Sequence, residues 1–341
     1  MRVLALAHQW IPQHCAGAET MLHSMLRALA RRGHRVDVTL SRQGGEPYTL
    51  DGVNVWPYVD KRDVFRWLGD ADVLVTHLEN TPRAAVLGRL NGIPVVQVLH
   101  NTMRITKEWL TREPPQLVVA NSEWMLSDLG EAIPPQTRPI VVRPLVHSNE
   151  YATPMDAPHD RVTLVNLRRM ETSPGGATMG KGAEVFWALA ERMPNVKFLG
   201  VLGGYGGQLI RDDLPNVEVL DHVPHHEMRD RVYARTRVLL MPSSYESWGR
   251  VGTEALCSGI PVIAHPTPGL LESLGDAGIF VDREDVDGWC RALRTLAMPR
   301  PYRSAALRAH RRSADLDPAE DLDRWCDAVE QMTSRRLVGA R

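Results

Sequence analysis

The sequence predicts an α/β protein made of two doubly wound parallel-sheet domains, and three observations carry that prediction. Short apolar runs alternate with helical patterns along most of the chain, as parallel strands joined by crossover helices do. The alternation occurs twice, on either side of a polar, proline-bearing, aperiodic stretch at 146–160 (VHSNEYATPMDAPHD) that reads as a linker. A length of 341 residues is also long for one core and comfortable for two. The expected domains are residues 1–150 and 151–317.

In the first half, residues 2–8 form a buried-strand run and 9–19 a loop. Residues 18–31 carry apolar positions at helical spacing, with Gly33 placed to end the helix, and 35–40 form the next strand. Gly17 falls at the first strand-to-helix turn, where a glycine lets backbone come close to a ligand, but no G-x-G-x-x-G is present. Further strands are expected at 53–57, 73–76, 95–99 and 117–120, and Ser122 reads as a helix N-cap. His100 ends the run PVVQVLH, and His77 is similarly placed after VLVT. A histidine at a strand's carboxyl end can face a ligand or serve as a structural cap.

In the second half, strands are expected at 161–167, 197–201, 217–220, 238–241, 261–264 and 279–281. Helices are expected at 182–192, 226–235, 249–258 and near 285–296, and the terminal DPAEDLDRWCDAVEQM is a long amphipathic helix with Pro318 near its start.

The most informative stretch is RVLLMPSSYESWGRVGTEALCSGIPVI at 237–263. It reads as strand, polar loop, helix and strand, with Glu246 in the loop and Glu254 in the helix. A loop leaving the carboxyl end of a parallel strand for a helix N-terminus is where such folds hold ligands. The first free N–H groups of that helix, at Gly249, Arg250 and Val251, suit a phosphate. Carboxylates are pure acceptors and suit the paired hydroxyls of a diol. A ligand with a diphosphate in the middle and diols on either side is a sugar nucleotide.

With its flanks, this Glu-x7-Glu pattern resembles the signature of the retaining family-4 glycosyltransferases of the GT-B fold. The resemblance implies two Rossmann-like domains facing a cleft, the first binding the acceptor and the second an NDP-sugar. It also implies that the terminal helix, about 318–341, can pack back on the first domain, and that the domains close on binding. Glu246 would contact the donor sugar and Glu254 the ribose, while His100 would help position the sugar and the loop at Gly17 would face the diphosphate. Lys181, opening a helix after the glycine-rich ETSPGGATMG, resembles the lysine that grips the diphosphate.

The family's glycine and arginine before that lysine align here with Asn166 and Leu167, which leaves Arg168 and Arg169 as the candidate replacements. Gly203 and Gly204, with Val223 beside His222, resemble the neighbourhood that receives the base, and a plain turn is the competing reading. The segment 268–272 resembles the loop that closes over donor sugar and phosphate. The expected reaction is transfer of a sugar, from UDP by family frequency, to an unidentified hydroxyl acceptor: a small molecule, lipid or glycan. The expected course is same-face attack, with the leaving phosphate as base and no covalent nucleophile. The rival readings are a sugar-nucleotide epimerase or hydrolase of the same fold and a non-catalytic sugar-nucleotide binder.

Other features exclude function classes. A net charge of −1 argues against nucleic acid as a partner, and no apolar run reaches membrane-spanning length. MRVLALAHQW is too short and wrongly flanked for a signal peptide, so a cytoplasmic protein is expected. The arginines of the helix at 18–31 could touch an anionic membrane, although its apolar face reads as core. Cys15, Cys257, Cys290 and Cys326 lack metal-ligand or disulfide spacing and read as buried thiols. Asp285-Val286-Asp287 satisfies D-x-D but lies at a helix first turn, where acids are stabilised by the dipole. No metal and no cofactor beyond the sugar nucleotide is expected.

Overall fold

The structure is a computed structural model and describes residues 1–14, 16–57, 64–154, 157–172, 178–204 and 206–339. The chain divides into two compact units, Met1–Leu145 with Pro318–Arg341, and Val146–Asp317.

The first unit contains strands β1 (Arg2–Ala7), β2 (Arg35–Leu40), β3 (Tyr48–Leu50), β4 (Val53–Trp56), β5 (Val73–His77), β6 (Val95–Val98), β7 (Leu117–Ala120) and β8 (Arg138–Val141). They form one sheet in the order β3-β4-β2-β1-β5-β6-β7-β8, parallel except for β3 against β4. Helices α1 (Gly17–Arg31), α2 (Val64–Leu68), α3 (Thr81–Asn91), α4 (Arg104–Arg112) and α5 (Glu123–Leu129) connect them. β1 is apolar throughout because both its faces are covered. Val3 and Ala5 join the core with Leu22, Met25 and Leu26 of α1, while Leu4 and Leu6 pack with Val64, Leu68 and Ala84 on the other side. Strand order reverses between β1 and β5, so the carboxyl ends of those strands flank the sheet's switch point.

The second unit holds α6 (Ser148–Tyr151), a six-stranded parallel sheet and a short antiparallel hairpin, β10 (Glu171–Thr172) with β11 (Thr178–Met179). The sheet strands are β9 (Arg161–Val165), β12 (Phe198–Val201), β13 (Val217–Leu220), β14 (Thr236–Met241), β15 (Val262–Ala264) and β16 (Gly278–Phe280), in the order β13-β12-β9-β14-β15-β16. Its later helices are α7 (Ala183–Arg192), α8 (Met228–Arg231), α9 (Arg250–Leu256), α10 (Pro268–Leu274), α11 (Val286–Ala297) and α12 (Pro299–Asp315). The last helix of the chain, α13 (Ala319–Gly339), packs on α1 in the first unit. Trp325 is fully buried there and its indole N–H donates to the Met25 carbonyl at 2.8 Å.

Two sequence expectations are corrected. Residues 146–160 are not merely a solvated linker, because α6 forms within them and Tyr151 is buried in the second core. The helix expected over 226–235 is broken into α8 between two 3-10 turns, 225–227 and 233–235, with Val232 at φ −116° interrupting helical geometry. Cys257, Cys290 and Cys326 are buried free thiols, and Cys15 lies outside the described residues. Asp285 caps α11, accepting from Gly288 N at 2.7 Å. Among the described residues no helix is long and apolar enough to cross a membrane.

Candidate functional site

In the second unit the strand order reverses between β9 and β14, and the loops leaving those two strands carry most of the residues singled out from sequence. β14 ends in Pro242, and the chain turns into the loop that bears Ser243 and Glu246. Lys181 meets this loop from the other side, with Nζ 2.5 Å from Glu246 Oε1. The Ser243 hydroxyl donates to the same oxygen at 2.9 Å. The two segments are also tied by backbone: Gly180 N donates to Ser244 Oγ at 3.1 Å, and Ser244 N donates to Gly180 O at 3.1 Å.

Gly182 makes this approach feasible. It sits at φ +87°, and a Cβ there would lie 2.3 Å from the Pro242 ring. Behind the contact stands Arg283, which the sequence analysis did not single out. Its guanidinium donates to Pro242 O at 2.8 Å and to Glu184 Oε2 at 2.9 Å. Glu184 in turn accepts from Met170 N at 2.8 Å, so one arginine braces the β14 loop, the start of α7 and the segment after β9.

Gly249 takes φ +84° as the N-cap of α9, and a Cβ on it would strike Leu270 at 2.4 Å. Arg250 and Val251 follow at the helix start. Arg250 was expected to offer its backbone, but its side chain enters a buried polar network with Glu254. Arg250 Nε lies 2.9 Å from Glu254 Oε1, and Arg250 Nη2 donates to Tyr151 Oη at 2.9 Å and contacts His225 Nε2 at 2.6 Å. Tyr233 donates its hydroxyl to Glu254 Oε2 at 2.6 Å, and Tyr151 is hydrogen-bonded to His225. Glu254 is only 4% exposed. Burial pushes its carboxyl above the usual range, and Arg250 and the tyrosine hydroxyls pull the other way. Burial also lowers His225 to about 3, helped by the Arg250 charge, so its ring stays neutral and can accept a hydrogen bond. Tyr151, Tyr233 and His225 were invisible as site residues because they are scattered over 80 positions with no shared spacing.

The departure at 166–169 has a structural explanation. Asn166 occupies φ +74°, a left-handed conformation that asparagine tolerates better than most residues and glycine best. Leu167, next in line, is fully buried and packs against Gly200, so it cannot take an arginine's place at a ligand. Arg168 pairs with Glu171 at 3.0 Å and bridges to Gln208, while Arg169 is exposed and its N donates to Gly207 O at 3.0 Å. Gly203 lies after β12, with its N–H donated to Gln208 Oε1 at 2.9 Å, and Gly204 lies against the His222 ring. The Val223 side chain is 5% exposed and belongs to the core, so only its backbone is available to a ligand. The glycine-rich residues 173–177 and Tyr205 are outside the described set.

In the first unit His100 contacts His77, with Nε2 3.2 Å from His77 Nδ1 and the rings edge to face. Burial lowers His100 to about 4 and holds His77 well below its ordinary value, so both rings are neutral and share one proton between those nitrogens. Gly17 begins α1 in open space, with nothing within 4 Å of a Cβ. No group of three or more metal-capable side chains occurs among the described residues.

Comparison with known proteins agrees with this architecture. The chain is 26% identical to a D-inositol 3-phosphate glycosyltransferase of Xylanimonas cellulosilytica, over 94% of this chain and 93% of that protein. It is 27% identical to D-inositol 3-phosphate glycosyltransferase 1 of Catenulispora acidiphila, over 77% and 71%. Sucrose-phosphate synthase from Thermosynechococcus elongatus superposes with a TM-score of 0.74 at 17% identity, over the full length of both chains. Anabaena HepE does so with 0.76 at 16%, over 97% of this chain and all of that one. These likenesses give the fold as GT-B. Residues 16–149 match the family described as Glycosyltransferase Family 4, and 181–298 the family described as Glycosyl transferases group 1. With both units matched in order over most of its length, the chain belongs to the glycosyltransferases of the family 4 type.

Proposed function

We propose that the second unit binds a nucleoside diphosphate sugar, with a UDP-sugar as first choice, and that the chain transfers the sugar to a hydroxyl acceptor with retention of configuration. The observation that carries this reading is the contact of Lys181 and Ser243 with Glu246 at the β9/β14 switch point. A cation and a carboxylate held there by backbone can separate their tasks once a ligand enters. Lys181 turns to the diphosphate, and Glu246 accepts hydroxyls of the sugar. The HepE structures, described as complexes with UDP and glucose and with UDP-glucose, support the donor class by analogy of fold.

As the bond from the anomeric carbon to the diphosphate breaks, negative charge grows on the leaving phosphate. Lys181 and the N–H groups at the start of α9 are the groups offered to stabilise it, with Arg168 or Arg169 as further candidates. The acceptor hydroxyl attacks from the face the phosphate leaves and passes its proton to a phosphate oxygen. Glu254 would accept ribose hydroxyls, with its carboxylate oriented by Arg250 and Tyr233. No metal ion is required in this scheme.

A thermal-shift panel of UDP, GDP, ADP and dTDP and their sugars tests the donor assignment. One nucleotide should raise Tm by several degrees, and Glu246→Gln should weaken the sugar nucleotide more than the free nucleotide. Product analysis by proton NMR should show the donor's anomeric configuration retained, at a rate unchanged by EDTA. No shift with any nucleotide at millimolar concentration, or NDP release indifferent to every acceptor, would overturn the reading.

A further inference from the structure

The switch point of the first sheet is as densely furnished as that of the second, with residues the sequence analysis passed over. His8 follows β1 and Arg42 follows β2, while Glu79, Asn80 and Arg83 follow β5. Glu19 lies on the first turn of α1. His8 Nε2 is 3.9 Å from Glu79 Oε2, and the charges of Arg42, Glu79 and Arg83 all act on His8. Glu79 also acts on Glu19, whose Oε2 is 4.0 Å from His14 Nε2. The side chains of His8, Glu19, Arg42, Glu79 and Arg83 therefore form one neighbourhood around the carboxyl ends of β1 and β5, and the buried Asn80 adjoins Glu79 in the chain.

Three features mark this neighbourhood as built for a ligand rather than for stability. Leu78, the turn residue between β5 and α3, is held at φ +51°, a conformation unfavourable for a bulky side chain and tolerated chiefly at functional sites. Buried polar atoms make no hydrogen bond there: Asn80 Nδ2, His8 Nε2 and Glu19 Oε2, the last two with only long contacts of 3.9 and 4.0 Å to a charged neighbour, and with Asn80 only 3% and Glu19 7% exposed. Arg83 is the third. Among the described residues, the other half-buried arginines each have a carboxylate, a carbonyl or an aromatic ring, as Arg2 has Asp37, Arg283 has Glu184 and Arg237 has Tyr302. Arg83 has none, and burial without compensation pushes its guanidinium down.

We propose that this switch point binds a polyhydroxylated ligand carrying a phosphate or carboxylate, the anion held by Arg83 with Arg42 beside it. The carboxyl groups of Glu19 and Glu79, with His8 and Asn80, then exchange hydrogen bonds with its hydroxyls. The proposal rests on the transferase reading only in calling this ligand the acceptor; the binding itself does not require it.

The test is calorimetry on the full chain at low ionic strength. Probes are glucose 6-phosphate, glucuronate and myo-inositol 1-phosphate, their uncharged parents glucose and myo-inositol, and inorganic phosphate. At least one anionic polyol should bind tenfold or more tightly than its parent, and the phosphate and carboxylate arms show which anion is meant. Arg83→Gln should reduce that preference below threefold, and Arg83→Lys should keep part of it. Since Arg83 makes no hydrogen bond or ion pair among the described residues and both replacements keep an unbranched stem, both variants should keep the wild-type Tm and bind UDP unchanged. Equal binding of charged and uncharged polyols, or a preference indifferent to Arg83→Gln, would overturn the proposal. So would inorganic phosphate binding as well as the sugars. UDP binding without anionic polyol binding would sink this site and leave the donor reading standing; the reverse result would sink the donor reading alone.

Discussion

The buried network around Glu254 makes a quantitative demand. Tyr233 is fully buried and donates to Glu254 Oε2 at 2.6 Å. A hydrogen bond to a charged acceptor contributes about 1.5–3 kcal/mol. Tyr233→Phe removes that donor without opening a cavity, and it leaves the carboxylate paired to Arg250 at 2.9 Å. The expected loss is therefore about 2 kcal/mol. Glu254→Ala is a different matter, because it strands the Arg250 guanidinium in a site where its side chain is only 12% exposed. Removing one partner of a buried pair costs about 3–5 kcal/mol. Glu254→Ala should therefore be the more damaging change and a poor probe of ligand binding, with Glu254→Gln preferable.

The double cycle of Tyr233→Phe with Glu254→Gln should show a coupling of about 1–2 kcal/mol. Native-state hydrogen exchange of the α9 amides assigns the loss to the second unit, which a global melt of a two-unit chain cannot do. A loss below about 0.5 kcal/mol for Tyr233→Phe, or Glu254→Ala no worse than Tyr233→Phe, would refute the account. It would mean that the hydroxyl and carboxylate are solvated rather than bound to each other.

Lys181→Ala should lower kcat/KM by about a hundredfold or more through lost charge stabilisation, while stability changes by less than about 1 kcal/mol because the pair is partly exposed. A change of less than threefold in steady-state kinetics would remove Lys181 from the donor site. Arg283→Met should weaken UDP-sugar binding about tenfold by freeing the Pro242 loop, with partial rescue by Arg283→Lys. Unaltered calorimetric affinity would make the brace dispensable. Acid should destabilise the first unit below pH 6.5, because the unfolded chain protonates His100 near its ordinary value whereas the folded one resists until about pH 4. That contribution is complete above pH 6.5 and declines by about 1.4 kcal/mol per pH unit as pH falls through the window. His100→Gln should flatten the slope between pH 6.5 and 5 in urea titrations by that amount, and an unchanged slope would contradict the burial assigned to the ring.

The sheets were legible because strands buried on both faces leave continuous apolar runs, such as VLALA at the start and RVLLM at 237–241. The edge strands of the first sheet were not. β3 is short and half exposed, and β8 begins with an exposed Arg-Pro, which leaves only the short apolar run at 140–142 between two Arg-Pro steps to announce it. Lys181 and Glu246 could be read because local features, a glycine-rich loop and a strand end, frame each of them. Arg283 could not, since its role depends on a carbonyl 41 residues away and a carboxylate 99 away. Tyr151 illustrates the same limit: a lone aromatic in a polar stretch has no period, and only the fold reveals that it is core. Arg83 is harder still, because its informative property is the lack of a partner, and a sequence does not display missing partners.

The placement of α13 bears on how the chain matures on the ribosome. The first unit's core includes Trp325 and Val329, yet these residues are synthesised after the whole second unit. The earlier part of the first unit must therefore wait, with the α1 surface that receives Trp325 uncovered, while some 170 residues emerge, at about 5–20 residues per second. The second unit is continuous in sequence and has no such dependence. The unit made second can thus be finished first, and the interval before α13 docks is when the nascent chain has most need of a chaperone.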